Sequence, residues 1–157
     1  MILCCLDQST KMTGYSIWRD KELVGHGVID LSCVTDKEVR TVEMYKSVKS
    51  LIKNIKPNFV IIEETQFQSN QKTFRTLAQL QGLFFAIFID CEVGYLAVEP
   101  LMWKSHIGIK SKKREEQKQE TMEYVSSKYP IEFYSDDESD SIAIGIWATE
   151  NLVNKGE

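Results

Sequence analysis

Two apolar runs that each close on an acid constrain this chain more than any other feature. Ile2 to Leu6 leads into Asp7, and Phe59 to Ile62 leads into Glu63 and Glu64. A half-exposed strand alternates polar with apolar residues, whereas an unbroken run is what a strand covered on both faces needs. The first run therefore reads as a buried strand of a mixed or parallel sheet, and Asp7 sits where it leaves the sheet. In open α/β sheets the ligand crevice lies beyond the carboxyl ends of the strands, so an acid there is aimed at a site. An Asx-turn through Gln8 to Thr13 explains one such Asp equally well. A second strand with the same ending shifts the balance.

The 157 residues fit one domain, 1–157, with a proper core. No apolar run reaches the roughly 18 residues of a membrane span, and the N-terminus lacks a basic signal region, so the expected setting is a cytoplasm. Cys4, Cys5, Cys33 and Cys91 have neither CxxC spacing nor clustered histidines, and Cys4 and Cys5 point to opposite faces of one strand. They read as reduced core thiols.

The net charge of −4 argues against a nucleic-acid partner, but its distribution argues the other way. Between Glu64 and Asp90 there is no acid, only Lys72 and Arg75 among Gln and Asn; from Lys104 to Lys118, six Lys or Arg face Glu115 and Glu116. After Lys128 the sign flips, with Glu132, Asp136, Asp137, Glu138, Asp140 and Glu150 before Lys155. This segregation predicts a basic surface beside an acidic pocket.

Tyr15 to Arg19 and Leu23 to Leu31 read as strands joined at Asp20-Lys21, with Gly25 and Gly27 allowing a bulge, so the chain opens as a three-strand meander. Thr35 is positioned to cap a helix running to about Lys56, with Val39, Val42, Tyr45, Val48, Ile52 and Ile55 as its apolar stripe. Pro57 stops it. A second helix spans Gln71 to about Ile89, with Phe74, Leu77, Leu80 or Gln81, Phe84 and Phe88 on its apolar side. Tyr95 to Val98 is a short strand, Pro100 starts a helical turn, and Glu115 to Lys128 is a thinly apolar helix held by Met122, Tyr124 and Val125. Asp136 or Asp137 caps a last helix, whose Ala143, Gly145 and Ala148 permit close packing on the sheet. The order β-β-β-α-β-α-β-α-α describes a mixed sheet with helices on it.

Asp137 and Asp140 share one face of that helix's first turn. Like charges so close repel unless something positive lies between them or they stand in water. An acidic helix start with no further role accounts for the pair alone. All three acidic stretches together suit a different chemistry. Two Mg²⁺ ions about 4 Å apart need three or four converging oxygen ligands, and two strand ends plus a helix start can supply them. No Ser-His-Asp set is present; His26 reads as structural, and His106, beside the basic loop, as a candidate contact with DNA or substrate water.

Several stretches carry a resemblance: Asp7 with Thr13-Gly14-Tyr15, Pro57 through Glu63, and the Gln-rich helix reaching Gln81-Gly82. So do Trp103-Lys104 followed by Gly108-Ile109 and basic residues, and Asp137-Glu-Ser-Asp140-Ser-Ile-Ala-Ile. In this order and spacing they resemble the RuvC family of Holliday junction resolvases, in the ribonuclease H-like superfamily, and its bacteriophage branch more than its bacterial one. The resemblance implies an α/β fold, with a three-strand antiparallel meander plus parallel strands flanked by helices. It implies a homodimeric, Mg²⁺-dependent endonuclease of recombination and repair, with two ions per site and Mn²⁺ as a substitute, that nicks opposed strands of a four-way DNA junction. For a phage-encoded protein the setting would be the bacterial host cytoplasm.

By that match Asp7, Glu63, Asp137 and Asp140 are the metal-binding and catalytic residues. Lys104 and one of Lys112, Lys113 or Arg114 would contact the backbone near the scissile phosphate, with Lys72 and Arg75 on the same basic surface. Phe67 stands near the loop where the family carries an aromatic that stacks on bases at the crossover; a surface-packed phenylalanine explains it as well. Gln8-Ser9 replaces the bacterial Pro-Gly. Glu64 competes with Glu63, and Asp136 with Asp137, for the ligand position. A nuclease acting on flaps, forks, RNA–DNA hybrids or other branched DNA is the alternative reading, and a catalytically silent junction binder is a further one.

Overall fold

A computed structural model describes residues 1–153; the last four positions of the expected 1–157 domain, Lys155 among them, lie outside the described residues. The elements run β1 (Ile2–Asp7), β2 (Met12–Arg19), β3 (Glu22–Asp30), α1 (Lys37–Ile55), β4 (Phe59–Glu63), α2 (Gln71–Asp90), β5 (Gly94–Val98), α3 (Pro100–His106), α4 (Arg114–Lys128) and α5 (Asp136–Asn151). The turn expected at Pro100 is a helix of seven residues. The sheet order is β3-β2-β1-β4-β5. The β1–β2 and β2–β3 pairs are antiparallel, while β1–β4 and β4–β5 are parallel. The meander turns at Asp20-Lys21, and its β2–β3 register slips between Ile17 and Trp18, opposite Gly25.

β1 and β4 lie inside the sheet, which explains their unbroken apolar runs. Cys4, Leu6, Val60 and Ile62 pack on Met44, Val48 and Ile52 of α1 and on Leu80, Phe84, Ile87 and Phe88 of α2. Leu3, Cys5 and Ile61 face the opposite way, toward Trp103 of α3, Val125 of α4 and Ile142, Ile144 and Ile146 of α5. Each such fully buried aliphatic contributes roughly 1.5–3 kcal/mol. Burial also pushes the Cys4 thiol up to about 12, consistent with an inert core residue. Of the four cysteines expected in the core only Cys4 and Cys5 are buried; Cys33, on the loop before α1, is exposed and Cys91, at the end of α2, is half-buried.

Three local expectations are corrected. The cap of α1 is Asp36, not Thr35, its side chain accepting from Val39 N at 2.9 Å. The buried row of α1 is Arg40, Met44, Val48 and Ile52, a strict i, i+4 line, so Val39 and Val42 stay 50% and 49% exposed. Arg40 can lie in that row because its guanidinium reaches the Val34 carbonyl at 3.1 Å while its stem packs. The cap of α5 is Ser135, whose Oγ accepts from Glu138 N, leaving the side chains of Asp136 and Asp137 available for other partners.

Two glycines set how closely α5 lies on the sheet. A Cβ on Gly145 would sit 1.9 Å from Trp18 Nε1, and one on Gly14 would sit 2.0 Å from the Asp137 carbonyl oxygen. The backbone of β2 therefore touches the first turn of α5 directly. No helix among the described residues is long and apolar enough to cross a membrane.

Candidate active site

Parallel pairing puts Leu6 opposite Ile62, so the residues that follow, Asp7 and Glu63, leave the sheet side by side. Gly14 pairs with Asp7 across β1–β2 and backs onto Asp137, which brings the start of α5 to the same rim. The Asp7 and Asp137 carboxyls share a hydrogen bond. Burial, and then the charges of Glu63, Asp140 and Asp137, hold Asp7 well above the usual carboxylate range. Burial and the neighbouring Asp136 push Asp137 up to about 6, although the Asp7 bond, Lys118 and Arg114 oppose the shift. Burial first and Glu63 second push Asp140 up to about 8. Glu63 is raised by burial, against Lys104, a bond from Trp103 and Arg114.

Acids buried beside one another, each shifted upward by that burial, form a pocket short of positive charge. Asp140 Oδ1 is buried there with no hydrogen-bond partner. Among the described residues no three His, Cys, Asp or Glu side chains form an ion-holding cluster. The donor set is nonetheless all carboxylate oxygen, which suits Mg²⁺ or Mn²⁺ rather than a thiolate-seeking metal. The residues therefore fit a divalent cation.

The neighbouring acids are turned elsewhere. Glu64 Oε1 accepts from Thr65 N and Gln81 Nε2, both at 2.9 Å, on the α2 side of the strand. Asp136 pairs with Lys118 of α4 at 3.0 Å. Glu138, 4% exposed, takes His26 Nδ1 at 2.5 Å on one oxygen and the Tyr134 amide at 2.7 Å on the other. His106 meets Glu150 at 2.6 Å.

The basic residues divide into two groups. Lys104 is half-buried, donates to Gln117 Oε1 at 3.1 Å, and with Arg114 acts electrostatically on Glu63. Lys112 and Lys113 are exposed on the loop before α4, which Glu120 pins by accepting from Lys110 N at 2.9 Å and from the Ser111 hydroxyl. Lys72 and Arg75 are exposed at the start of α2, and Phe67 is 57% exposed on the loop before it, edge-on to Phe74 at 5.7 Å.

Several residues that shape this rim are not evident from the sequence. Gln8 Nε2 reaches the Glu63 carbonyl (3.2 Å), Thr65 Oγ1 (2.8 Å) and Gln81 Oε1 (3.0 Å), tying the ends of β1 and β4 to α2. Trp103 Nε1 donates to Glu63 Oε2 at 2.6 Å. A glutamine within the apolar stripe of α2 is a visible signal for Gln81, which is buried; Trp103 is visible only as part of the Trp103-Lys104 stretch of the resemblance, and Lys118 only by its place in a basic stretch.

Comparison with known proteins finds relatives of nearly the whole chain in sequence and in fold. The family described as "Lactococcus phage M3 protein" matches residues 3–149. The crossover junction endodeoxyribonuclease RuvC of Caldicellulosiruptor saccharolyticus is 28% identical over 107 residues, 65% of this chain and 64% of its own length, so that alignment leaves over a third of the relative unmatched. RuvC of Fusobacterium nucleatum is 26% identical over 155 residues, covering 96% of this chain and 80% of the relative. Among solved structures, Thermus thermophilus RuvC in complex with Holliday junction substrate shares the fold with a TM-score of 0.73 at 15% identity, over 94% of this chain and 91% of that one. The yeast mitochondrial Holliday junction resolvase does so with a TM-score of 0.64 at 15% identity, over 94% and 77%.

Proposed function

We propose, from the premise that the chain belongs to the Lactococcus phage M3 protein family and is a relative of RuvC, that it is a divalent-metal-dependent endonuclease resolving four-way DNA junctions. The observation that carries this reading is the meeting of Asp7, Glu63, Asp137 and Asp140 at one rim, beside Lys104 and Arg114.

These four carboxylates would hold the cation pair. Bound there, two Mg²⁺ ions would lower the pKa of the attacking water and offset charge on the leaving oxygen of the phosphodiester. The chain's own residues do the rest. Asp7 and Asp137 would hold the cations as deprotonated carboxylates. Lys104, steered by Gln117, and Arg114 bring positive charge to the scissile phosphate. Lys112, Lys113, Lys72 and Arg75 engage the phosphates of the duplex arms, where contacts position without reading bases. Phe67, exposed next to them, stacks on bases opened at the crossover.

Paired nicks need two sites related by a two-fold axis, so the proposed active form is a homodimer in the host cytoplasm. Leu83 and Ile89, left exposed on α2, support an apolar contact between protomers. Sedimentation that finds only monomer at working concentration would remove this part.

The decisive experiment compares a synthetic four-way junction, a flap, a fork and an RNA–DNA hybrid, each with Mg²⁺ and with Mn²⁺. Fastest symmetric nicking of the junction is expected, with an Asp7→Asn variant slower by about a thousandfold, the equivalent of several kcal/mol of lost charge stabilisation. Undiminished cleavage by that variant would refute the mechanism, and a faster flap, fork or hybrid rate would reassign the substrate.

A further inference from the structure

Glu63 is held by one group that neither the metal nor DNA need touch. Trp103 has no exposed surface; its ring is embedded with Val98 of β5 and Ile142 and Ile146 of α5. From that anchorage its indole N–H reaches one carboxylate oxygen, Oε2, at 2.6 Å. Its neighbours on α3, Leu101 and Met102, are 72% and 51% exposed, so the helix presents a single large side chain inward, and that side chain ends on Glu63.

The choice of group matters physically. An indole nitrogen donates and cannot accept, so it can bond only to an acceptor oxygen and cannot itself become a ligand. A charge-assisted bond of this length fixes the carboxylate rotamer and leaves Oε1 as the oxygen free for coordination. Because the ring is packed in the core, the donor does not move when the site fills. Lys104, next in sequence, stands over the same indole ring at 5.4 Å and bonds Gln117, whose Nε2 in turn donates to the Ser111 carbonyl of the basic loop at 2.9 Å. One short helix thus orients a carboxylate with one residue and a phosphate-facing cation with the next.

We infer that Trp103 is a positioning residue that pre-sets Glu63 for divalent-cation binding, and that its indole N–H reports occupancy of the site. This rests on the reading of Glu63 as a ligand. Donors standing behind metal ligands characteristically influence affinity by about 10–100-fold.

The test uses the full chain, ¹⁵N-labelled, with MgCl₂ as the added ligand, read by calorimetry and by the indole N–H signals. Three tryptophans give three signals, and Trp103→Phe assigns one by its loss. The Trp103 signal is expected to lie downfield, to shift during the Mg²⁺ titration with the calorimetric midpoint, and to move in Glu63→Gln. The Trp18 signal, bonded to Ser16 Oγ at 2.9 Å, stays in place as an internal control. Trp103→Phe is expected to weaken Mg²⁺ binding by about 10–100-fold while metal-free junction binding is retained. If Mg²⁺ binds the wild type and is lost in Asp7→Asn, yet Trp103→Phe stays within twofold of wild type, the inference is overturned and the proposed function stands. If the wild type binds no Mg²⁺ by calorimetry, both fall. Should Trp103→Phe not fold, the wild-type titration decides alone: an indole signal unmoved by bound Mg²⁺ overturns the inference.

Discussion

The carboxylate pocket and the basic rim meet at Lys104 and Arg114, but they are assembled differently. In the pocket every acid is fixed by backbone or buried structure: Asp7 and Glu63 by parallel strand ends, Asp137 by contact with Gly14, Glu63 again by Trp103. On the rim Lys112, Lys113, Lys72, Arg75 and Phe67 are exposed, and their positions depend on the backbone beneath them. A pocket whose charges are desolvated gains its selectivity from geometry and is costly to disturb. A rim in water contributes small, screened and roughly additive attractions. The difference predicts steep, single-residue effects in the pocket and shallow, cumulative ones on the rim.

The sharpest way to break this contrast is Asp140→Asn. Cleavage is expected to fall by about a thousandfold while metal-free junction affinity is unchanged, measured by single-turnover nicking and gel shift. An effect below tenfold would mean the pocket tolerates change as the rim does.

The metal-free protein should also reveal the pocket's charge shortage as a pH dependence. Asp137 and Asp140 are raised in the folded state, so the fold binds their protons more tightly than the unfolded chain does. The stabilisation is fully present below the unfolded carboxylate range and is lost as pH rises through about 6 and about 8. Unfolding free energies from urea titrations in chelator at pH 5 and pH 8.5 should differ by roughly 2–4 kcal/mol, with Mg²⁺ flattening the slope and Asp140→Asn reducing it. A midpoint that instead rises with pH would show the acids to be well compensated.

Gly14→Ala tests whether backbone contact alone sets the pocket. Its new Cβ meets the Asp137 carbonyl, so a stability loss of about 1–3 kcal/mol is expected by thermal melt, together with weaker Mg²⁺ binding. The smallest effect belongs to Lys112→Ala with Lys113→Ala. Affinity should fall a few-fold, the log–log salt slope should shrink by about 0.9 for each phosphate that is no longer neutralised, and the nicking rate at saturation should hold. A large drop in that rate would place these lysines in the pocket's chemistry.

The fold, and the convergence of acids at the candidate site, are legible in the sequence for a simple reason. Ile2 to Leu6 and Phe59 to Ile62 carry their burial on both faces in plain composition, and an acid at the end of such a run stands out. Choosing Glu63 over Glu64 is not possible from alternation alone, because the facing depends on register. In the structure Glu64 N bonds the Val98 carbonyl and its side chain turns to Gln81. The α5 cap is hard to read because three consecutive acids mask a serine that caps equally well. Trp103 and Gln8 act through partners 40 and 55 residues away, and no local pattern encodes that reach.

The division of the proposed ligands between β1, β4 and α5 also governs the order in which they come together. Asp7 and Glu63 are delivered by β1 and β4, but Asp137 and Asp140 arrive only with the later helix that must settle against Gly14 and Trp18. A nascent or proteolysed chain lacking that helix holds half of the proposed ligand set. On the proposed reading, the chain could cut no DNA until that helix has been made and has packed against the sheet.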